Sequence, residues 1–168
     1  GRRLPISFRA WVAAQRHMGF EMDPRELSPD EEETLIKITS WYKNNRSWMM
    51  SGTIQRLDTD DSSVIAEIQI SENNERFVVF VGQAEMSSQI LPRPLRLTGL
   101  DPVSIYEINL LNPEDRDPRS RGFTALKKNS LTLSGRALMS KGINLPLAWP
   151  CTMLVLEASK QQDPSHEA

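Results

Sequence analysis

The apolar residues of this chain change their spacing once, at Ser51-Gly52, and that change limits the fold more than any other feature. Upstream they recur at helical intervals; downstream they alternate or run together in short blocks bounded by Gly, Pro and Asn. One part must therefore bury helical stripes and the other must bury sheet faces. The expected class is α+β: two N-terminal helices followed by antiparallel all-β structure, a sandwich or a barrel.

In the first part, Phe8, Trp11, Val12 and Met18 predict a helix over residues 7–18, with Ser7 as its N-cap and Gly19 as the left-handed residue that ends it. Phe20-Glu21-Met22-Asp23 then reads as a short strand or extended linker that stops at Pro24. Ser28-Pro29-Asp30-Glu31 is a capping box: Ser28 covers the first free amide groups, Pro29 sits at the first helical position, and Glu31 reaches back to the cap. The acidic residues 30–33 lie at the positive end of this second helix, and Lys37, Lys43 and Arg46 lie toward its negative end. Leu35, Ile38, Trp41, Tyr42, Trp48 and Met49 form a broad apolar stripe. Two helices and one short strand cannot bury two such stripes between themselves, so they are expected to need an apolar partner from elsewhere.

In the second part, strands are expected at Thr53–Leu57, Val64–Ile70, Phe77–Val81, Leu95–Leu97, Val103–Ile108, Leu131–Leu133 and Thr152–Leu156. Glu72-Asn73-Asn74-Glu75 joins the second to the third as a turn, and the unbroken run Phe77-Val78-Val79-Phe80-Val81 should be buried on both faces. Residues 112–121, with two prolines and charges of both signs, read as a long loop, and residues 161–168 as a frayed tail.

The chemistry that the side chains could support is sparse. Twenty basic residues against 22 acidic ones give a net charge of -2, without the basic excess of a nucleic-acid binder. No apolar run approaches the roughly 20 residues that span a bilayer. There is no secretory leader pattern, and the opening Gly1-Arg2-Arg3, without Met, suggests a truncated or processed product. The single cysteine, Cys151, fits a reducing, cytoplasmic setting and reads as a small core residue in a strand. With only His17 and His166 beside it, no metal site and no cofactor are expected.

Glu21 and Asp23 are the one carboxylate pair at i, i+2 spacing, which would share a strand face as a glycosidase pair must. Solvation or pairing with Arg25 is the plainer reading. His17 reads as a surface histidine. Trp41, Tyr42 and Trp48 could offer a stacking platform to a sugar, but their helical spacing favours a core role. The stretch 135–142 has two glycines yet lacks the ending of a phosphate loop, and it reads as a turn between strands. No catalytic residue is assigned.

Several stretches, in order, resemble glycoside hydrolase family 36, the α-galactosidases. They are Phe8-Arg9-Ala10-Trp11-Val12-Ala13-Ala14, the series His17 to Ser28 with its Gly-aromatic-Glu-x-Asp core, and the strand entry Ser51-Gly52-Thr53-Ile54-Gln55-Arg56-Leu57. Leu95-Arg96-Leu97-Thr98-Gly99-Leu100-Asp101-Pro102 with Tyr106, Ser134-Gly135-Arg136-Ala137-Leu138-Met139, and the stretch from Gly142 to Pro146 follow. The resemblance implies that residues 1–50 are the end of a (β/α)8 catalytic barrel, residues 51–158 a C-terminal antiparallel β-sandwich, and residues 159–168 a flexible tail. It implies a retaining hydrolase in which one aspartate attacks the anomeric carbon and another protonates the leaving oxygen. The Lys-Trp-Asp motif of the nucleophile and the motif of the acid are not found in this sequence. The chain by itself should then be inactive, with the barrel of a parent enzyme as its partner, α-galactosides as substrates of that parent, and room for the parent to form a homo-oligomer. A free-standing module that binds carbohydrate or protein on its sandwich face is the alternative, and a small hydrolase built on Glu21 and Asp23 a third reading.

Overall fold

The computed structural model describes residues 4–116 and 124–161. Helices come first: α1 (Ile6–Ala14) and α2 (Pro29–Ser51), separated by a single 3-10 turn at Pro24–Glu26. Strands β1 (Thr53–Leu57), β2 (Val64–Ile70), β3 (Arg76–Gln83), β4 (Ile105–Leu110), β5 (Leu131–Ser134) and β6 (Thr152–Lys160) follow, with a short helix α3 (Gly135–Ser140) after β5. All six strands join one sheet in the order β1-β2-β3-β6-β4-β5, and every neighbouring pair is antiparallel.

The expected helix-then-sheet order is the observed one. β1 and β2 have the expected limits, and the capping box at Ser28 is complete: Glu31 N donates to Ser28 Oγ at 3.3 Å, and Ser28 N donates to Glu31 Oε2 at 3.0 Å. The turn 72–75 places Asn74 at φ 56°, a left-handed position that Asn tolerates.

The unbroken apolar run of β3 has the predicted cause. β3 and β6 occupy the middle of the sheet, and both their faces are covered. Phe77, Val79 and Val81 with Leu154, Leu156 and Ala158 point into one core, while Val78 and Phe80 with Met153 and Val155 point into another. The first core forms one side of the sandwich. Its second layer comes from the strap Leu95–Leu100, Leu126, α3 and Ile143, packed over the sheet. Tyr106 lies fully buried there, edge-on to Phe77 at 5.2 Å, and its hydroxyl donates to Asn74 O at 3.0 Å. The second core holds the helices.

Six expectations are corrected. α1 ends at Ala14, four residues early, and the carbonyl just beyond it is held by the sheet: Gln69 of β2 donates to Gln15 O at 2.8 Å. Ser7 lies inside the helix rather than capping it, and Gly19 is not the left-handed terminator. Leu95 and Leu97 alternate as a strand would, yet the strap has one bridge only, Leu95 to Ile143, and Leu97 N donates to Leu138 O of α3 at 3.1 Å. The stretch from Gly135 is a helix, opened by Ser134 Oγ, which accepts from Ala137 N at 3.2 Å. Cys151 is half-buried just before β6 at φ 65°, in a turn rather than a strand. Of the expected 112–121 loop, residues 113–115 form a 3-10 turn and residues 117–121 lie outside the described residues, as do residues 162–168 of the tail.

Candidate functional site

The largest change to the sequence reading concerns the two helices. Their apolar stripes find a partner within the chain, on the outer face of the sheet. Ala10, Trp11 and Ala14 of α1 and Ile38, Tyr42 and Met49 of α2 are buried against Val78, Phe80, Met153 and Val155. The aromatic rings form a chain of edge contacts, Trp11 to Trp41 at 5.2 Å and Trp41 to Phe80 at 6.3 Å. Polar groups close its rim. Trp41 Nε1 donates to Glu157 Oε1 at 3.2 Å, Arg16 makes a two-pronged contact with Glu67 at 2.7 and 2.9 Å, and Met18 N donates to the Tyr42 hydroxyl at 3.3 Å. Trp41, Tyr42 and Trp48 are therefore turned inward or along the sheet, with Arg76 over the Trp48 ring at 5.9 Å, and offer no open platform for a sugar.

The carboxylate pair is not assembled as a catalytic dyad. Asp23 is clasped by Arg25, whose Nε and Nη2 donate to its two oxygens at 2.6–3.1 Å, while Arg25 N donates to Oδ1 at 3.0 Å. These bonds hold the Asp23 carboxyl below the usual carboxylate range, the opposite of what a proton-donating acid needs. Glu21 is exposed and lies outside the small open hollow that Asp23 lines with Arg9 and Glu31. His17 is exposed. Among the described residues, no group of three or more His, Cys, Asp or Glu could hold a metal ion.

The sequence reading missed a cleft of about 380 Å³ at one end of the sheet. Three separated segments build it: the β1–β2 turn around Asp58–Asp61, residues 87–98 of the β3–β4 connection, and residues 145–148 before β6. No periodicity marks such a site, because its parts meet only after β1 and β2 pair and the strap crosses the sheet. Its floor is apolar, with Val81, Leu97 and Leu154 from the core and Leu145 and Pro146 on one flank. Its wall is fixed by a partly buried polar knot. Asp61 Oδ1 accepts from Ser63 N at 2.9 Å and from Ser63 Oγ at 2.6 Å, Asp61 Oδ2 accepts from Ser87, and Gln83 Nε2 donates to Ser63 Oγ at 2.8 Å. The hydroxyl bonds from Ser63 and then Ser87 lower the Asp61 pKa. Three arginines (56, 93 and 96) and three aspartates (58, 60 and 61) line the cleft, so its formal charges cancel.

The fold is one antiparallel sheet with helices on one face and a strap on the other, and among the described residues Glu21 and Asp23 are not assembled as an acid–base pair. Residues 64–162 match the family model of the glycosyl hydrolase family 36 C-terminal domain, and the chain belongs to that family. The α-galactosidase of Escherichia coli is 28% identical over 161 residues, which is 92% of this chain and 23% of that enzyme. Alpha-galactosidase Mel36A of Lactobacillus acidophilus is 30% identical over 107 residues, 64% of this chain and 15% of the relative. The chain thus spans less than a quarter of the length of these relatives. The fold is also that of solved structures. An AgaA variant from Geobacillus stearothermophilus, a family 36 α-galactosidase solved with raffinose, superposes with a TM-score of 0.77 over 96% of this chain and 20% of its own, at 21% identity. The α-galactosidase of Lactobacillus brevis gives 0.76 over all of this chain and 22% of its own, at 20% identity.

Proposed function

We propose that this chain serves as the C-terminal portion of a retaining α-galactosidase, an enzyme that hydrolyses terminal α-galactosides, and that its role there is structural. In this reading residues 1–50 are the end of the catalytic barrel, residues 51–158 are the trailing sandwich, and residues 159–168 are a tail. The catalytic carboxylates belong to the rest of the enzyme.

The burial of Trp11, Ile38, Tyr42 and Met49 against the sheet carries the proposal. A sheet that packs the helices this tightly fixes where the last elements of a barrel sit, and an active site depends on such placement. The names of the relatives and the small share of each that the chain covers support the substrate class and the partner. Val12, Phe20, Ile36 and Met50, exposed on the helical segment, are apolar side chains left for the barrel to cover. A reducing, cytoplasmic setting suits the single thiol Cys151.

A chimera tests this. The matching segment of the E. coli α-galactosidase is replaced by this chain, and hydrolysis of nitrophenyl-α-galactoside is measured. Activity in the chimera supports the role, whereas a soluble, folded chimera that binds galactose but turns nothing over contradicts it.

A further inference from the structure

The cleft supports an inference that rests on the reading above and adds a ligand to it: we propose that it binds a neutral saccharide. A sugar hydroxyl both donates and accepts, so a site for it needs donors and acceptors side by side. The cleft supplies both. Arginine can only donate and ionised aspartate can only accept, and three of each line the walls. The side chains of Arg56, Asp58 and Arg96 make no hydrogen bond or ion pair among the described residues, so their polar groups are available to a ligand. Arg93 meets Asp60 only at 3.4 Å, with both side chains about two-thirds exposed, a contact that a ligand can replace at small cost.

The cancelled charge argues against an ion as the occupant, since a phosphate drawn to the guanidinium groups would also face Asp58 and Asp60. The apolar floor of Leu97, Leu145 and Pro146 suits the C–H face of a sugar ring. The volume of about 380 Å³ lies within the range of ligand pockets, roughly 300–1,000 Å³. The frame is rigid, because the knot of Asp61, Ser63, Ser87 and Gln83 holds the wall before a ligand arrives. Among the described residues no aromatic ring lines the cleft, so the binding rests on hydrogen bonds and the apolar floor rather than on stacking.

Amide chemical shifts of the isotopically labelled chain, followed during titration with raffinose, read the site directly. Saturable shifts are expected in residues 58–61, 93–98 and 145–148. Arg96→Ala and Asp58→Ala should each weaken binding about tenfold, the loss of one hydrogen bond to a charged group. Both positions are exposed, and a wild-type spectrum elsewhere verifies the fold of each variant. Unsaturable shifts, shifts confined to other regions, binding by both variants as tight as that of the unsubstituted chain, or equal responses to glycerol or inorganic phosphate would overturn the assignment. The chimera assay reads catalysis and this titration reads binding to the chain, so either idea can fail without the other.

Discussion

The two faces of the sheet are buried in different ways. One is closed by regular helices whose aromatic side chains meet Val78, Phe80, Met153 and Val155; the other is closed by a nearly unbridged strap, a six-residue helix and single side chains. The helical face is sealed by hydrogen bonds from Trp41 and Gln69 at its rim, and the strap face stays open at one end as the cleft. Regular elements cover a face completely because their side chains repeat with it. A strap covers only what its few inward residues reach, and the remainder becomes a pocket. The difference therefore separates a face that holds a neighbouring element from a face that can admit a ligand.

Substitutions at matched depth probe this contrast. Phe77→Ala removes a fully buried ring from the strap-side core and should cost about 3–5 kcal/mol, seen as one cooperative loss of sheet and helices in chemical denaturation. Trp11→Ala empties a comparable place on the helical face. The expected cost is about 3 kcal/mol, but α1 and α2 should loosen first, with helical circular dichroism lost before the sheet signal. Coincident transitions in Trp11→Ala would mean that the two faces fold as one unit.

The junction between the faces is a smaller lever. Gly52 has an ordinary φ of -76°, but an added Cβ would lie 2.2 Å from Ile70 O, so Gly52→Ala must push β1 from β2. A loss of about 1–3 kcal/mol is expected from the forced shift, measured by denaturant midpoint. Weakest is Ser28→Ala at the start of α2. Its loss of about 1 kcal/mol should appear in thermal unfolding of the helical layer and leave the cleft unchanged.

What the sequence made legible follows the same division. Strong local signals were readable: the Ser28 capping box, the alternation of β2, and the doubly buried run of β3, each set by neighbours in the chain. Features decided by distant partners were not. α1 stops where Gln69 takes the Gln15 carbonyl, a bond spanning 54 residues, and Gly19 has no part in it. Residues 95–97 alternate because one side meets the core, which needs no ladder of hydrogen bonds. The helix at Gly135 hid behind its glycine: added bulk would meet Asp101 O at 2.1 Å, so the position requires glycine even at a helix start that Ser134 caps. The helices looked unpartnered because their partner is a sheet face that forms only after β3 and β6 pair. The cleft was invisible for the same reason, since Asp58, Arg96 and Leu145 meet only in the fold.

The central claim, that the chain positions a catalytic barrel and performs no chemistry itself, is tested most directly by nitrophenyl-α-galactoside hydrolysis with the purified chain and its Asp23→Asn variant. Asp23 is engaged by Arg25 and lacks an assembled partner acid, so both proteins should match the rate of buffer alone. Turnover above buffer in the chain that disappears in Asp23→Asn would contradict the account.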